Sequence, residues 1–188
     1  APESGSKNML EKIKKRINLS SMIHSVKTAV RNNIVVRTNF IIGFPNETRK
    51  DLYKTFILHL QFALIGVDDI PLYPFQPYPG TEIFNDLVSK QRIKLNDQYF
   101  DSLATLSTGR LTPPDNSYCE HIGRLELYFY RCIGLLLSYS LSYLLRPRRI
   151  MRTVKNIFYT NKSATVFEQR LKDIIRRKTT QLKLITHK

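Results

Sequence analysis

Phe40-Ile41-Ile42-Gly43-Phe44-Pro45-Asn46-Glu47-Thr48 is the stretch on which the fold turns. The apolar, β-branched run from Ile34 to Ile42 suits a strand buried on both faces, as parallel strands are. Gly43 to Thr48 then makes a loop. Thr48, with Asp51 three residues on, predicts a capping box at a helix start, Asp standing in for the usual Glu. Leu52, Phe56, Leu60, Ala63 and Leu64 carry a helical stripe to about Ile65. A strand handing over to a helix through such a loop is a βα unit, and α/β proteins bind ligands at that end of the strand.

Two further loops of the same kind flank this one. Pro2-Glu3-Ser4-Gly5-Ser6 precedes a helical pattern over Lys7 to Arg16. Ser20 or Ser21 is expected to cap a second helix, with Met22, Ile23, Val26, Ala29 and Val30 on one face and Asn32-Asn33 at its end. On the other side, Asp68 to Gln76 is a strand candidate interrupted by Pro71 and Pro74. Proline donates nothing to a ladder, so this strand should be short or at an edge. Pro77-Tyr78-Pro79-Gly80-Thr81 follows, with Thr81 capping a short helix through about Val88. The order α, α, β, α, β, α implies parallel strands with right-handed crossovers. The opening loop stands for the end of a preceding strand, so the chain reads as the C-terminal part of a longer one.

After about residue 90 the pattern changes, which sets a boundary between an α/β part, 1–89, and a helical extension, 90–188. Lys90 to Pro114 is irregular apart from a short helix near Asp97 to Leu106. Asp115 to Leu145 reads as one long helix or two abutting ones. Pro147 suits a helix first turn, and the basic segments Arg148 to Tyr159 and Ser163 to Lys178 follow. Ile133 to Leu145 is apolar but broken by Ser138, Ser140 and Ser142, and is too short to span a bilayer, which needs roughly 20 residues. A buried or interfacial helix is expected there.

The net charge of +15 over 188 residues is uneven. Residues 1–145 carry 17 Lys/Arg against 13 Asp/Glu, and residues 146–188 carry 13 against 2. The basic tail suggests nucleic acid, an anionic membrane surface or an acidic partner, or else a solvated helical face. Next to an apolar, Tyr-rich helix, it also suits a small or lipid-like substrate. Because the basic residues lie outside the three loops, nucleic-acid binding leaves those loops unexplained.

The loops hold the candidate chemistry. Glu3 can accept both hydrogens of a ribose diol, and Ser4 and Ser6 add hydroxyls that pair with a carboxylate or an amine. The same residues also suit a helix N-cap. Gly43 allows close backbone approach, and Pro77, Pro79 and Gly80 would hold free backbone groups that can read the edge of a flat base. Glu47 sits where a helix dipole stabilises a carboxylate in any case. His24, His59, His121 and His187 show no metal-ligand spacing. Cys119 and Cys132, 13 positions apart, would lie roughly 20 Å apart on one helix and read as packing cysteines. No Ser–His–Asp pattern, P-loop, dinucleotide fingerprint or metal-ligand set occurs.

Taken together, Glu3-Ser4-Gly5-Ser6 followed by Met9-Leu10 and Lys15, the Phe40–Thr48 segment and Pro77–Thr81 resemble radical S-adenosylmethionine enzymes, particularly the cobalamin-binding subgroup. Asn46 stands where that subgroup has glycine, and Asn tolerates positive φ. The resemblance covers residues 1–88. It implies the C-terminal half of a partial (βα)6 barrel followed by an α-helical extension that caps the substrate side. It also implies S-adenosylmethionine and a 4Fe–4S cluster as cofactors, with cobalamin as a further candidate. Reductive cleavage of S-adenosylmethionine would then drive radical or methyl-transfer chemistry. By family position, Glu3, Ser4 and Ser6 would face the ribose and amino-acid part, and Ile42, Gly43, Tyr78, Pro79 and Gly80 the adenine. No catalytic residue is assigned. The cluster-binding C-x-x-x-C-x-x-C loop is absent, so the cluster ligands lie outside this chain, and the segment alone is expected to be inactive. The missing N-terminal part of the same protein is therefore an expected partner. The expected location is cytoplasmic, at most peripheral to a membrane. A non-catalytic module binding nucleic acid or a membrane surface is the alternative.

Overall fold

A computed structural model describes residues 1–107, 113–114, 116–160 and 162–186, with side-chain detail lacking for 104–107 and 177–186. Asp115 and His187 lie outside the described residues. The chain forms a mixed α/β structure that is mostly helical. Its order is α1 (Lys7–Lys12), α2 (Leu19–Arg31), β1 (Phe40–Ile42), α3 (Arg49–Ile65), β2 (Leu72–Pro74), α4 (Glu82–Ser89), α5 (Asp97–Ser107), α6 (Arg124–Leu145), α7 (Arg148–Phe158) and α8 (Val166–Thr186).

The two strands are parallel, with Phe40 beside Leu72 and Ile42 beside Pro74. Glu3 adds an isolated parallel bridge on the far side of β1: its N–H donates to the Asn39 carbonyl at 3.3 Å, and its carbonyl accepts from the Ile41 N–H at 2.8 Å. Three consecutive parallel segments therefore run side by side in chain order, joined by helices. β1 is far shorter than the run Ile34 to Ile42 suggested. Ile34 and Val35 are 58% and 61% exposed. The chain joins β2's approach only from Val36, whose carbonyl accepts from the Asp68 N–H at 3.0 Å. β1 is also not buried on both sides: Phe40 and Ile42 are buried and Ile41 only partly.

β2 is a short edge strand, as its prolines require. The Phe40 N–H reaches the Pro71 carbonyl at 3.0 Å and the Phe75 N–H the Ile42 carbonyl at 2.7 Å. Residues alternate along a strand, so Leu72 and Pro74 turn their backbone groups to the outer edge. Pro74 has no donor there to leave unpaired. The Leu72 carbonyl is met by Nε of Arg131 on α6, at 3.1 Å.

The main core joins Phe40, Ile42 and Leu72 to Leu52, Leu58 and Phe62 of α3 and to Cys119, Ile122 and Leu127. The α/β part and the start of the helical extension thus share one core. α6 lies close on the sheet because Gly134 has no side chain: a Cβ there would sit 2.8 Å from Leu72 Cδ2 and 3.2 Å from Phe56. A second cluster, Phe84, Leu87, Ile93, Tyr99 and Tyr118, ties α4 to α5.

Several helix ends differ from the sequence reading. α1 stops at Lys12 rather than Arg16, because Lys14 takes φ +56° and the Lys15 N–H turns back to the Leu10 carbonyl at 2.8 Å. Asn18, not a serine, caps α2, accepting from the Ser21 N–H at 3.0 Å. α6 starts at Arg124 rather than near Asp115, so Cys119 lies in the preceding loop and the two cysteines do not share a helix. Among the described residues, no helix is long and apolar enough to cross a membrane.

Candidate functional site at the strand ends

All three loops leave the same edge of the sheet, the C-terminal ends of the three parallel segments. The third loop is fixed to the second by the Phe75–Ile42 backbone bond and by the tilted ring contact of Phe44 with Phe75, 4.9 Å between centroids.

The first loop is fastened to α3. Ser4 Oγ lies 2.9 Å from Thr55 Oγ1, the Gly5 N–H donates to the same oxygen at 3.1 Å, and Ser6 Oγ donates to Asp51 Oδ1 at 2.5 Å. Gly5 is needed by space, since a Cβ would stand 2.4 Å from the Lys54 carbonyl oxygen. Both serines are fully buried. The hydroxyls that the sequence assigned to a ligand are thus used by α3. Asp51 also takes Thr48 Oγ1 at 2.7 Å and Asn8 Nδ2 at 3.3 Å. Burial alone would raise its pKa, but the hydrogen bonds from Ser6, Thr48 and Asn8 outweigh it and hold the carboxyl below its usual range. Glu3 differs from its neighbours. Held at φ +60°, it keeps a partly open carboxylate 3.2 Å from Lys15 Nζ.

The second loop is closed on itself. Gly43 sits at φ +86°, and its N–H donates to Glu47 Oε2 at 2.5 Å. Leu127 of α6 fills the space where a Cβ would project, and Ile42 and Gly43 are both buried. The segment before α6 roofs this turn: the Glu120 N–H donates to the Pro45 carbonyl at 2.9 Å and Cys119 Sγ to the Glu47 carbonyl at 3.2 Å. Under that roof Glu47 is fully buried, and its Oε1 has no hydrogen-bond partner among the described residues. Burial pushes its pKa up to about 7, against the lowering effect of the Gly43 and Phe44 amides. Burial likewise pushes the Cys119 thiol up, so it is a packing group rather than a ready thiolate.

The third loop is open. Tyr78, Pro79 and Gly80 are exposed, Gly80 takes φ +85°, and nothing stands within 4 Å of where its Cβ would be. Tyr99 Oη donates to the Pro77 carbonyl at 2.5 Å and steadies the loop from α5. Buried Gln76 Oε1 lacks a partner among the described residues. The structure therefore brings the candidate residues to one rim but sorts them: Glu3 and Tyr78–Gly80 are accessible, while Ser4, Ser6, Ile42 and Gly43 are covered.

The sheet face opposite α3 is polar. Arg37 Nη2 donates to Tyr73 Oη at 3.2 Å and its Nε to Asn39 Oδ1 at 3.3 Å. At the edge, buried Asp69 accepts from Tyr139 Oη of α6 at 3.0 Å and from the Val166 N–H at the start of α8 at 3.1 Å, with Arg37 Nε 3.5 Å away. Burial raises the Asp69 pKa against these partners. Asp69 and Arg131 were passed over in sequence. An arginine inside an apolar helix was the signal available, because such a group needs buried acceptors.

Arg146, Arg149 and Arg152 of the tail are bonded internally as well. Arg146 Nη2 donates to the Leu64 and Ile65 carbonyls at 3.1 and 2.8 Å, and Arg149 donates to the Gly66 and Val67 carbonyls at 2.6 and 2.9 Å and to Ser142 Oγ. Arg152 pairs with Asp68 at 2.9 Å. Among the described residues no cluster of His, Cys, Asp or Glu is suited to hold a metal ion. His59 is buried, bonded through Nε2 to the Ile70 carbonyl at 2.9 Å, with its pKa pushed down by burial to about 4.

No family model matches the sequence. The chain is 37% identical over 83 residues, 44% of its length, to an uncharacterized methyltransferase of Pyrococcus horikoshii. It is 31% identical over 116 residues, 57% of its length, to the tRNA-2-methylthio-N(6)-dimethylallyladenosine synthase of Ralstonia pickettii. It spans 17% and 25% of the length of those two proteins.

Proposed function

We propose that these residues belong to a radical S-adenosylmethionine enzyme and supply one part of its nucleoside site. The observation that carries this reading is the shared rim: three consecutive parallel segments deliver their loops to one edge, which is the binding edge of α/β folds. The polar face behind Ile41 and Tyr73 suits the lumen of a partial (βα)6 barrel, since parallel sheets are otherwise covered on both sides. The two relatives, named for methyl transfer and for methylthiolation of tRNA, support the same reaction class.

The residues fit one cofactor and not another. An open positive-φ glycine at Gly80 and the accessible Glu3 carboxylate suit the base and ribose of a nucleoside. A 4Fe–4S cluster does not fit this chain, because its two cysteines are too few and Cys119 is committed to the Glu47 carbonyl. No residue here is assigned to cobalamin. S-adenosylmethionine, when bound, supplies the methyl-transfer or radical chemistry. Glu3 would accept the ribose hydroxyls, with Lys15 fixing the carboxylate, and the Pro79–Gly80 backbone would meet the adenine edge. Ser4 and Ser6 act one step back, holding the Glu3 loop against α3. The alternative, a basic surface module, loses Arg146, Arg149 and Arg152 to internal bonds and keeps Arg148, Lys155 and Lys162 as exposed cations.

The test is S-adenosylmethionine binding by the whole protein that carries these residues, beside its Glu3→Gln variant. The variant should bind about tenfold more weakly at an unchanged melting temperature. A whole protein that shows neither binding nor cluster absorbance would remove the proposal.

A further inference from the structure

α7 is amphipathic in the reverse sense from a helix packed on a core. Its polar side chains face inward. Arg149 donates to the Gly66 and Val67 carbonyls, Arg152 pairs with Asp68, and Thr153 Oγ1 and Asn156 Nδ2 donate to Glu168 at 2.7 and 2.9 Å. Those four positions span about 100° of the helix. Ile150, Met151, Val154 and Phe158 occupy the opposite side and are between 45% and 67% exposed. An ordinary surface helix turns these two faces the other way round. Exposed Tyr159 ends the apolar row, and with Ile150, Met151, Val154 and Lys155 it lines one open depression. Large apolar side chains exposed together, rather than singly, mark a surface that something covers.

The flank of the row indicates what covers it. Arg148 and Lys155, two turns apart, are both exposed and run beside Met151. Of the two carboxylates in residues 146–188, Glu168 is buried and taken by Thr153 and Asn156. The covering surface must therefore be apolar along one strip and negative along the next. A second copy of this face would set cation against cation, and a nucleic acid would match the cations but leave the apolar row in water. The boundary of an anionic bilayer offers both chemistries side by side. With 11 residues, α7 is about 16 Å long, too short to cross a bilayer and suited to lie along it.

We propose that α7 docks on an anionic bilayer surface, with Ile150, Met151, Val154 and Phe158 in the acyl boundary and Arg148 and Lys155 among the headgroups. The face takes no part in the nucleoside site, and docking is read without S-adenosylmethionine, so the two readings fail separately.

The test is sedimentation of the whole protein with vesicles of phosphatidylcholine alone, or of equal parts phosphatidylcholine and phosphatidylglycerol. The anionic vesicles should bind at least about tenfold more tightly. Met151→Ser with Phe158→Ser, both at exposed positions, should weaken that binding at least about tenfold at an unchanged melting temperature. Arg148→Gln with Lys155→Gln should cost about twentyfold on the anionic vesicles and leave the neutral ones unchanged. Equal affinity for the two vesicles would overturn the inference, as would a serine variant that binds like its parent, since tail charge alone would then explain the binding. No binding by a folded sample would overturn it too. In that case a serine variant that melts earlier would assign the face to another part of the same protein, and one that sediments as a smaller species would assign it to a second copy.

Discussion

The two ends of α3 are both saturated, but by opposite chemistry drawn from different distances along the chain. At the N-terminus, Thr48 and Asp51 form a capping box within one turn, and Ser6 and Asn8 add to the same carboxylate. At the C-terminus, Gly66 ends the helix at φ +105°, and guanidinium groups from Arg146 and Arg149, some 80 residues later, collect the orphan carbonyls. An anion meets the positive end of the helix dipole and cations meet the negative end. The N-terminal arrangement fastens the candidate site, and the C-terminal one fastens the tail. A basic tail is thus in part a cap.

Breaking the N-terminal end should cost most. Asp51→Ala removes the acceptor for Ser6, Thr48 and Asn8 and strands a buried hydroxyl, so the unfolding free energy should fall by about 4 kcal/mol in urea titration. A loss under about 1 kcal/mol would mean the first loop is not held by α3.

Glu47, in the turn that feeds the same end, gives the next largest effect. Folded, it keeps its proton to about pH 7, against 4.5 for a free carboxyl. The native state therefore binds more protons between those values, and stability falls as pH rises through them. Relative to Glu47→Gln, the parent protein should lose about 3 kcal/mol from pH 4 to pH 8. His59 has the opposite sign: its pKa near 4, below the usual 6.5, makes stability fall as pH drops. The two slopes offset each other in the parent from about pH 4.5 to 6.5, so the variant alone should weaken on acidification. Parallel curves for the two proteins would place Glu47 in a wetter site.

At the C-terminal end, Arg149→Ala should cost about 2 kcal/mol, read as a lowered urea midpoint. The smallest effect is expected of Arg146→Lys, about 1 kcal/mol, because a compact ammonium lacks the rigid planar fork that the guanidinium presents to these carbonyls. If lysine restored full stability, charge alone would explain the cap. The two ends lie roughly 25 Å apart by helix rise, so Asp51→Ala and Arg149→Ala should add. Coupling beyond about 0.5 kcal/mol would show that the helix transmits one end to the other.

What could be read in the sequence follows the same division. The capping box, Thr81's cap and the edge strand were legible because their causes lie within a few residues. The shared rim was legible through the order of elements. Ile34 and Val35 misled because β-branched residues promise a strand only where a neighbour exists to pair with. The start of α6 misled because 116–123 is shaped by Pro45 and Glu47, far away in the chain. Ser4 and Ser6 look like ligand groups in sequence, and nothing local shows that Thr55 and Asp51 reach them first. The use of Arg146 and Arg149 was invisible for the same reason: charge shows in composition, but the carbonyls it will meet do not.

The shared carboxylate of Asp69 makes the last helix part of the sheet's electrical balance. A protease cut near residue 160 would remove the Val166 amide and Arg170 together. It would leave a deeply placed anion with less to offset it, although the cut falls far from either strand. The clipped protein should melt earlier than the whole one, and the gap should narrow when Asp69 is replaced by asparagine. Trimming this tail to obtain a tidier domain would therefore unsettle the strand edge that the trimming was meant to isolate.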